Sequence, residues 1–336
     1  MNEFSQMIED TSRRIFTDLC DKQVVDKAEA GQWPSGLWNA LEENGLTLAG
    51  IPEQVGGSGG TTADSLLVIR EAARAAAPLP LAETFLAADI LASLGVSVPP
   101  GPLSCGMVRV DENSDPITRY AGEIPFAAVS NNLVLIKEDG QAFLVPVSVC
   151  KVVPVTSFTG EPVDEVSVDL NTNNDYHIGK IEGSDFRLNG ARVRAMMLAG
   201  AMESALEMAI HYAQERNQFG RSISKFQAIQ HQLATMATEV AAASRASDML
   251  LEDGVDDFLV GVAKARIGEA AGVCASVAHQ VHGAIGYTLE HALNHRTRRM
   301  WAWRDEFGNE TEWNRLLGQQ ILSKGADQAW PYLASI

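Results

Sequence analysis

The chain has 336 residues, 46% hydrophobic and 21% charged, and its 26 Lys and Arg against 43 Asp and Glu leave a net charge of −17. That is length for two or three domains with a large core, and the acidic balance argues against nucleic acid and anionic membranes, because holding phosphates needs excess Lys and Arg. Cys20, Cys105, Cys150 and Cys274 lie too far apart for zinc spacing or a disulfide framework, and no apolar run reaches the roughly 18 residues of a membrane span. Free thiols, and a start with no basic stretch leading into an apolar one, fit a cytoplasmic protein.

Residues 1–104 read as an N-terminal helical domain. Phe4, Ile8, Ile15 and Leu19 recur at near-helical spacing. Trp33-Pro34 breaks the pattern, and Leu37, Leu41 and Leu46 mark a short helix stopped by Gly45. A glycine-rich loop, Ile51–Gly60, precedes a helix with Thr61, Thr62 or Asp64 as N-cap and Leu66, Leu67, Ile69, Ala73 and Ala76 inward. Pro78 and Pro80 end it, and Leu81–Leu94 forms another helix closed by Gly95.

Residues 105–185 change texture into a small middle β domain. Phe126–Val129, Leu133–Ile136, Ala142–Val145 and Glu165–Val168 are short strand-like runs, with a hairpin about Asp139-Gly140. Residues 186–336 return to long helices with stripes through Val193–Tyr212, Phe226–Ala243, Phe258–Val281 and Leu317–Ile321. Long amphipathic helices with short connections form a four-helix bundle. The fold class is α+β, mainly α.

Two segments of the bundle carry chemistry. Arg216-Asn217-Gln218-Phe219-Gly220-Arg221-Ser222-Ile223 closes one long helix, and Phe226-Gln227 lies inside the next, with Ser222–Ser224 as its cap region. A helix end, a Gly turn and a capped start set a guanidinium, an amide and an aromatic ring on one rim, which suits a dinucleotide: Arg pairs bidentately with pyrophosphate and Phe packs on adenine. The second segment, Gln280–Tyr287, ends a later helix with Gly283 and Gly286, by itself ordinary capping. His291 and His295 are four apart, but HExxH is absent and no metal is expected. Arg296, Arg298, Arg299 and Arg304 read as a salt-bridged helix face first and as a contact for an acidic partner surface second.

Together and in this order, the two segments resemble the C-terminal half of the acyl-CoA dehydrogenases. Ile51-Pro52-Glu53 with Gly56, Gly57 and Gly59 resembles the same family's N-terminal loop. The resemblance implies that order of helices, β domain and bundle, with FAD as cofactor. It implies that Arg216, Gln218 and Phe219, and Gln280, Gly283 and Ala284, reach the FAD of a neighbouring subunit. Ala284 stands where a second glycine is common, and His282 reads as structural.

The family's proton chemistry is missing. A glutamate removes the proton beside the thioester carbonyl while hydride passes to FAD; that weakly acidic proton needs a positioned base. Of the family's two base positions, one falls on Phe307 and the other on Gly190. Glu306 is one residue off register. Of the β-domain loop that holds flavin and substrate only a faint Ser114-Asp115 is left. The resemblance is therefore to the non-catalytic β subunit of a heteromeric α2β2 acyl-CoA dehydrogenase, of the kind that acts on bulky thioesters including steroid side chains. A homologous catalytic subunit would hold most of the acyl-CoA, and an electron-transfer flavoprotein would be the family's electron acceptor. The alternatives are a self-sufficient homo-oligomer using Glu306 and a non-enzymatic scaffold.

Overall fold

A computed structural model of the chain describes residues 3–111, 119–170, 174–252 and 254–335. Five helices come first: α1 (Glu3–Leu19), α2 (Lys22–Glu29), α3 (Ser35–Glu43), α4 (Thr62–Ala75) and α5 (Leu81–Ser93). The Asp21 carboxylate accepts from the Val24 amide to start α2, and Pro34 sits at the N-cap of α3. Of the three candidates for α4, Thr61 is the N-cap, in a reciprocal capping box with Asp64. α5 is apolar on nearly all sides and buried on nearly all sides, as a helix wedged between two layers must be.

Seven strands follow: β1 (Leu103–Val110), β2 (Arg119–Pro125), β3 (Asn132–Lys137), β4 (Gln141–Pro146), β5 (Lys151–Val153), β6 (Val163–Asp169) and β7 (His177–Lys180). They form one sheet in the order β5-β6-β2-β1-β3-β4-β7, with β1 and β3 parallel and the other neighbours antiparallel. β3 and β4 make the expected hairpin, Leu133 opposite Val145 and Ile136 opposite Ala142. Leu133 and Leu135 join a core on one face with Val108, Phe143 and Val166, while Val134 and Ile136 join the core shared with α5 on the other. Burial on both faces is why β3 reads as a continuous apolar run.

Phe126–Val129 is not a strand. Phe126 has φ +52, Ala127–Val129 form a 3-10 turn, and the buried Asp164 carboxylate accepts the Ala128 amide at 2.7 Å. Phe126 and Ala127 are buried, and a four-residue apolar run does not distinguish turn from strand. Ser114-Asp115 lies outside the described residues.

The rest is helical: α6 (Gly183–Glu215), a two-residue hairpin of β8 (Asn217–Gln218) and β9 (Arg221–Ser222), then α7 (Gln227–Met249), α8 (Asp257–His282), α9 (Leu293–Asp305), α10 (Glu310–Ser323) and α11 (Ala326–Ser335). α6 is the axis, packing against α4, α7, α8 and α9. The stripe expected at Leu317 and Ile321 is only half buried, and α10 docks chiefly through Trp313. Among the described residues no helix is long and apolar enough to cross a membrane.

Candidate functional site

The two positions where the resemblance expects a base lie face to face. Gly190 is on the second turn of the buried half of α6, and Phe307 follows the end of α9. A Cβ on Gly190 would sit 2.2 Å from Cδ1 and Cε1 of Phe307, so the ring occupies the space a side chain there would need. Phe307 is held at φ +56, a conformation that costs a bulky residue about 1 kcal/mol or more. Phe186 meets its ring edge-on at 5.5 Å, and the Arg194 guanidinium lies 5.6 Å from its centroid. The space between the two positions is filled by a packed aromatic ring.

Glu306, the off-register carboxylate, is engaged. Arg194, 4% exposed, donates from Nε to Glu306 at 2.5 Å and from Nη2 to the buried Glu83 at 2.8 Å. Burial alone would lower the guanidinium's pKa, but the carboxylates of Glu306 and Glu83 raise it above its ordinary value, so Arg194 is a fixed cation. Glu306 is the C-cap of α9, with ψ 138, and the chain leaves the helix there. Lys264, fully buried, pins this turn by donating from Nζ to the carbonyls of Arg304 and Gly308, both at 2.8 Å. Burial pushes its pKa down to about 8.

The dinucleotide-type residues lie elsewhere and face outward. Arg216 caps α6 with extended backbone. Asn217 pairs with Ser222 and Gln218 with Arg221, leaving Phe219 and Gly220 at the tip with φ +52 and +80. Both central residues of such a two-residue turn need positive φ, which favours Asn or Gly. Here a phenylalanine takes it while 92% exposed. Neither burial nor turn preference accounts for that side chain. Phe226 is the N-cap residue of α7 rather than inside it, and Ser222 caps a preceding 3-10 turn, Ile223–Lys225, not α7 itself.

Gln280, Gly283 and Ala284 are exposed at the end of α8, where Gly283 has φ +63 and ψ −144. The ends of α6 and α8 coincide, since the Tyr212 ring stacks on His282 at 4.6 Å. All six residues therefore share one end of the bundle. His282 is structural: Nδ1 bonds the Ala278 carbonyl at 2.7 Å, and the ring lies between Tyr212 and His291, 4.7 Å from the latter. His291 and His295 diverge, His295 reaching Asp26 and Glu29 at 3.0 and 2.9 Å. The arginine run is salt-bridged, as expected, with Arg299 buried and Arg296, Arg298 and Arg304 half-buried. Arg299, 1% exposed, lies 3.5 Å from Glu161 and Arg298 is 2.8 Å from Glu29, which joins α9 to the loop before β6 and to α2; Arg304 pairs with Glu310.

The rim fits the ADP end of FAD approached from outside: exposed N–H donors and an exposed ring, with open space around Gly283. Sequence reasoning missed Arg194, Glu83 and Lys264. Arg194, one helical turn after Gly190, was the available signal.

A model of the acyl-CoA dehydrogenase N-terminal domain matches residues 2–96, and one of the C-terminal domain matches 185–311. The chain is 27% identical over 308 residues to acyl-CoA dehydrogenase IpdE2 of Mycolicibacterium smegmatis, covering 87% of this chain and 91% of the relative. Two solved structures superpose over 96% of it: the Tcur3481-Tcur3483 steroid ACAD G363A variant, with TM-score 0.82, 22% identity and 99% of that chain covered, and the ChsE4-ChsE5 complex from Mycobacterium tuberculosis, with 0.79, 20% and 98%. At those identities the superpositions establish the fold.

Proposed function

The chain belongs to the acyl-CoA dehydrogenase family, whose cofactor is FAD, and on that premise we propose that it is the subunit of a heteromeric enzyme that lacks the base and completes the flavin site of a catalytic partner. The observation that carries this reading is the closure of Gly190 on Phe307. α,β-Desaturation of a thioester needs a carboxylate poised at the carbon beside the carbonyl, and that space holds an aromatic ring. Bound FAD supplies the oxidation of the β-carbon. In this reading the residues of this chain do the holding: Arg216 neutralises pyrophosphate, Phe219 covers the adenine, and Gln280 with the Gly283-Ala284 backbone meets the neighbouring part of the dinucleotide. Glu306 is a poor alternative base, because releasing it would leave Arg194 one carboxylate short in a buried setting.

A partner of the same family with its glutamate intact is the expected occupant of the other half of an α2β2 assembly, with a bulky, steroid-type acyl-CoA as substrate and an electron-transfer flavoprotein as acceptor. The likeness to a structure titled as the ChsE4-ChsE5 complex supports a heteromer. The test is flavin stoichiometry after expression of the chain alone and with such a partner. One FAD per pair, and a colourless inactive chain alone, are expected. A yellow, active preparation of this chain alone overturns the proposal.

A further inference from the structure

We infer that Tyr212, His282 and His291 are positioning residues: their rings tie the end of α6 to the end of α8, and the tie holds only while both histidines are neutral, so that the spacing of the rim depends on pH; this rests on the reading above. Arg216 and Gln280 stand at the ends of different helices, and their spacing is set by whatever joins those ends. The Arg216 amide donates to the Tyr212 carbonyl at 2.9 Å, and the Gly283 amide to the His279 carbonyl. The Tyr212 ring is stacked on His282, and His291 closes on both, 4.7 Å from His282 and 6.3 Å from Tyr212. His279, one turn earlier on α8, carries the Tyr287 ring at 4.4 Å, which fixes the far end of the Gly283–Tyr287 turn.

The hydrogen bonds state which protons are present. A carbonyl only accepts, so Nδ1 of His282, 2.7 Å from the Ala278 carbonyl, carries its proton, and its Nε2 is buried without a partner. An amide only donates, so Nδ1 of His291, which takes the Leu293 amide at 3.2 Å, carries none. A second proton on His282 would bury a charge and an unpaired N–H. A second proton on His291 would displace the Leu293 amide at the start of α9. The titratable groups that face the two rings are cationic when charged: His279 of α8, Lys22 of α2 and Arg296 of α9. From α6 comes the Tyr212 phenol. Asp26 and Glu29 are engaged by His295, and Glu215 by His211. Burial first, and then these neighbours, hold both histidines below their ordinary pKa. The tie is therefore intact above that range and is lost as pH falls through the depressed values.

The test is titration of the apo-complex with FAD at pH 7.5 and at pH 5. Amide exchange of residues 279–288, taken relative to the intrinsic rate at each pH, is measured in parallel. Arginine keeps its charge over that interval, so the contacts to pyrophosphate do not themselves titrate. FAD affinity should fall by about 5- to 20-fold, since each unit of pKa difference is worth tenfold, and protection should fall with it. His291→Asn, whose side chain accepts an amide two residues on without titrating, and His282→Phe, which keeps a ring on Tyr212, should each lessen the fall. The double variant should hold FAD affinity within about twofold across the interval. A flat wild-type affinity, alongside a loss in Arg216→Ala at pH 7.5, overturns the tie and leaves the flavin-completing function standing. A fall undiminished in the double variant also overturns the tie. FAD affinity unchanged in Arg216→Ala overturns the flavin-completing function, and amide protection then still reports whether the rings join the two helix ends.

Discussion

Gly190→Ala tests the closure of Gly190 on Phe307 directly. The added Cβ would lie 2.2 Å from two ring carbons of Phe307 and 2.5 Å from a third, where van der Waals contact needs about 3.5–4.0 Å. The ring cannot swing away freely. Phe186 stands against its edge, Arg194 lies by it, and its backbone is fixed at positive φ by a turn that Lys264 holds at two carbonyls. Overpacking of this kind costs about 1–3 kcal/mol. With an unfolding entropy near 2.1 cal/mol/K per residue, that is a Tm fall of roughly 1–4 °C for a chain of this length, so urea titration is the more sensitive assay. Phe307→Ala alone removes a half-buried ring and should cost about 1–3 kcal/mol, less than a fully buried one. In the double variant the new methyl enters the vacated space, and the two costs should fall short of additive by about 1 kcal/mol or more. Additive costs, or a neutral Gly190→Ala, would refute the packing of the two positions against each other.

Glu306→Gln leaves Arg194 paired with Glu83, so urea titration should find a loss of about 1 kcal/mol, against about 3 kcal/mol for Glu83→Gln, whose carboxylate is buried; turnover of the complex should stay within about tenfold, below an acid-base contribution. Phe219→Asn puts a residue that tolerates positive φ at the hairpin tip; stability should hold or rise slightly while flavin titration shows weaker FAD. Burial depresses the pKa of His279, His282 and His291 below the ordinary 6.5. The unfolded chain then binds more protons than the folded one below pH 6.5, so stability present above that pH is lost as pH falls through the depressed folded values. Tm measured from pH 7.5 to 5 should show this decline, and His282→Phe, which keeps a ring against Tyr212, should flatten it.

Much of this protein is legible in local sequence because the physics is local. Thr61 with Asp64, Pro34, Gly45 and the Asp139-Gly140 turn mark element ends through the backbone groups they satisfy or the φ they allow. The motif from Arg216 to Phe226 is contiguous, so its order along the chain foreshadows its shape, and the absence of a carboxylate at Gly190 and Phe307 is a fact of composition. Local pattern misled where burial, not periodicity, set the residue type: Phe126 and Ala127 are buried in a turn, not a strand, and Arg299 is charged yet buried because Glu161 and Glu29 come to it from the loop before β6 and from α2. Only the tertiary structure decided what fills the space beside Gly190. Residues 190 and 307 are 117 positions apart, and no one-dimensional pattern states that a glycine on α6 exists to admit the ring of Phe307, or that Glu306 is held by a cation from another helix. Such contacts depend on how α6, α5 and α9 pack around one another, a property of the folded core and not of any segment of it.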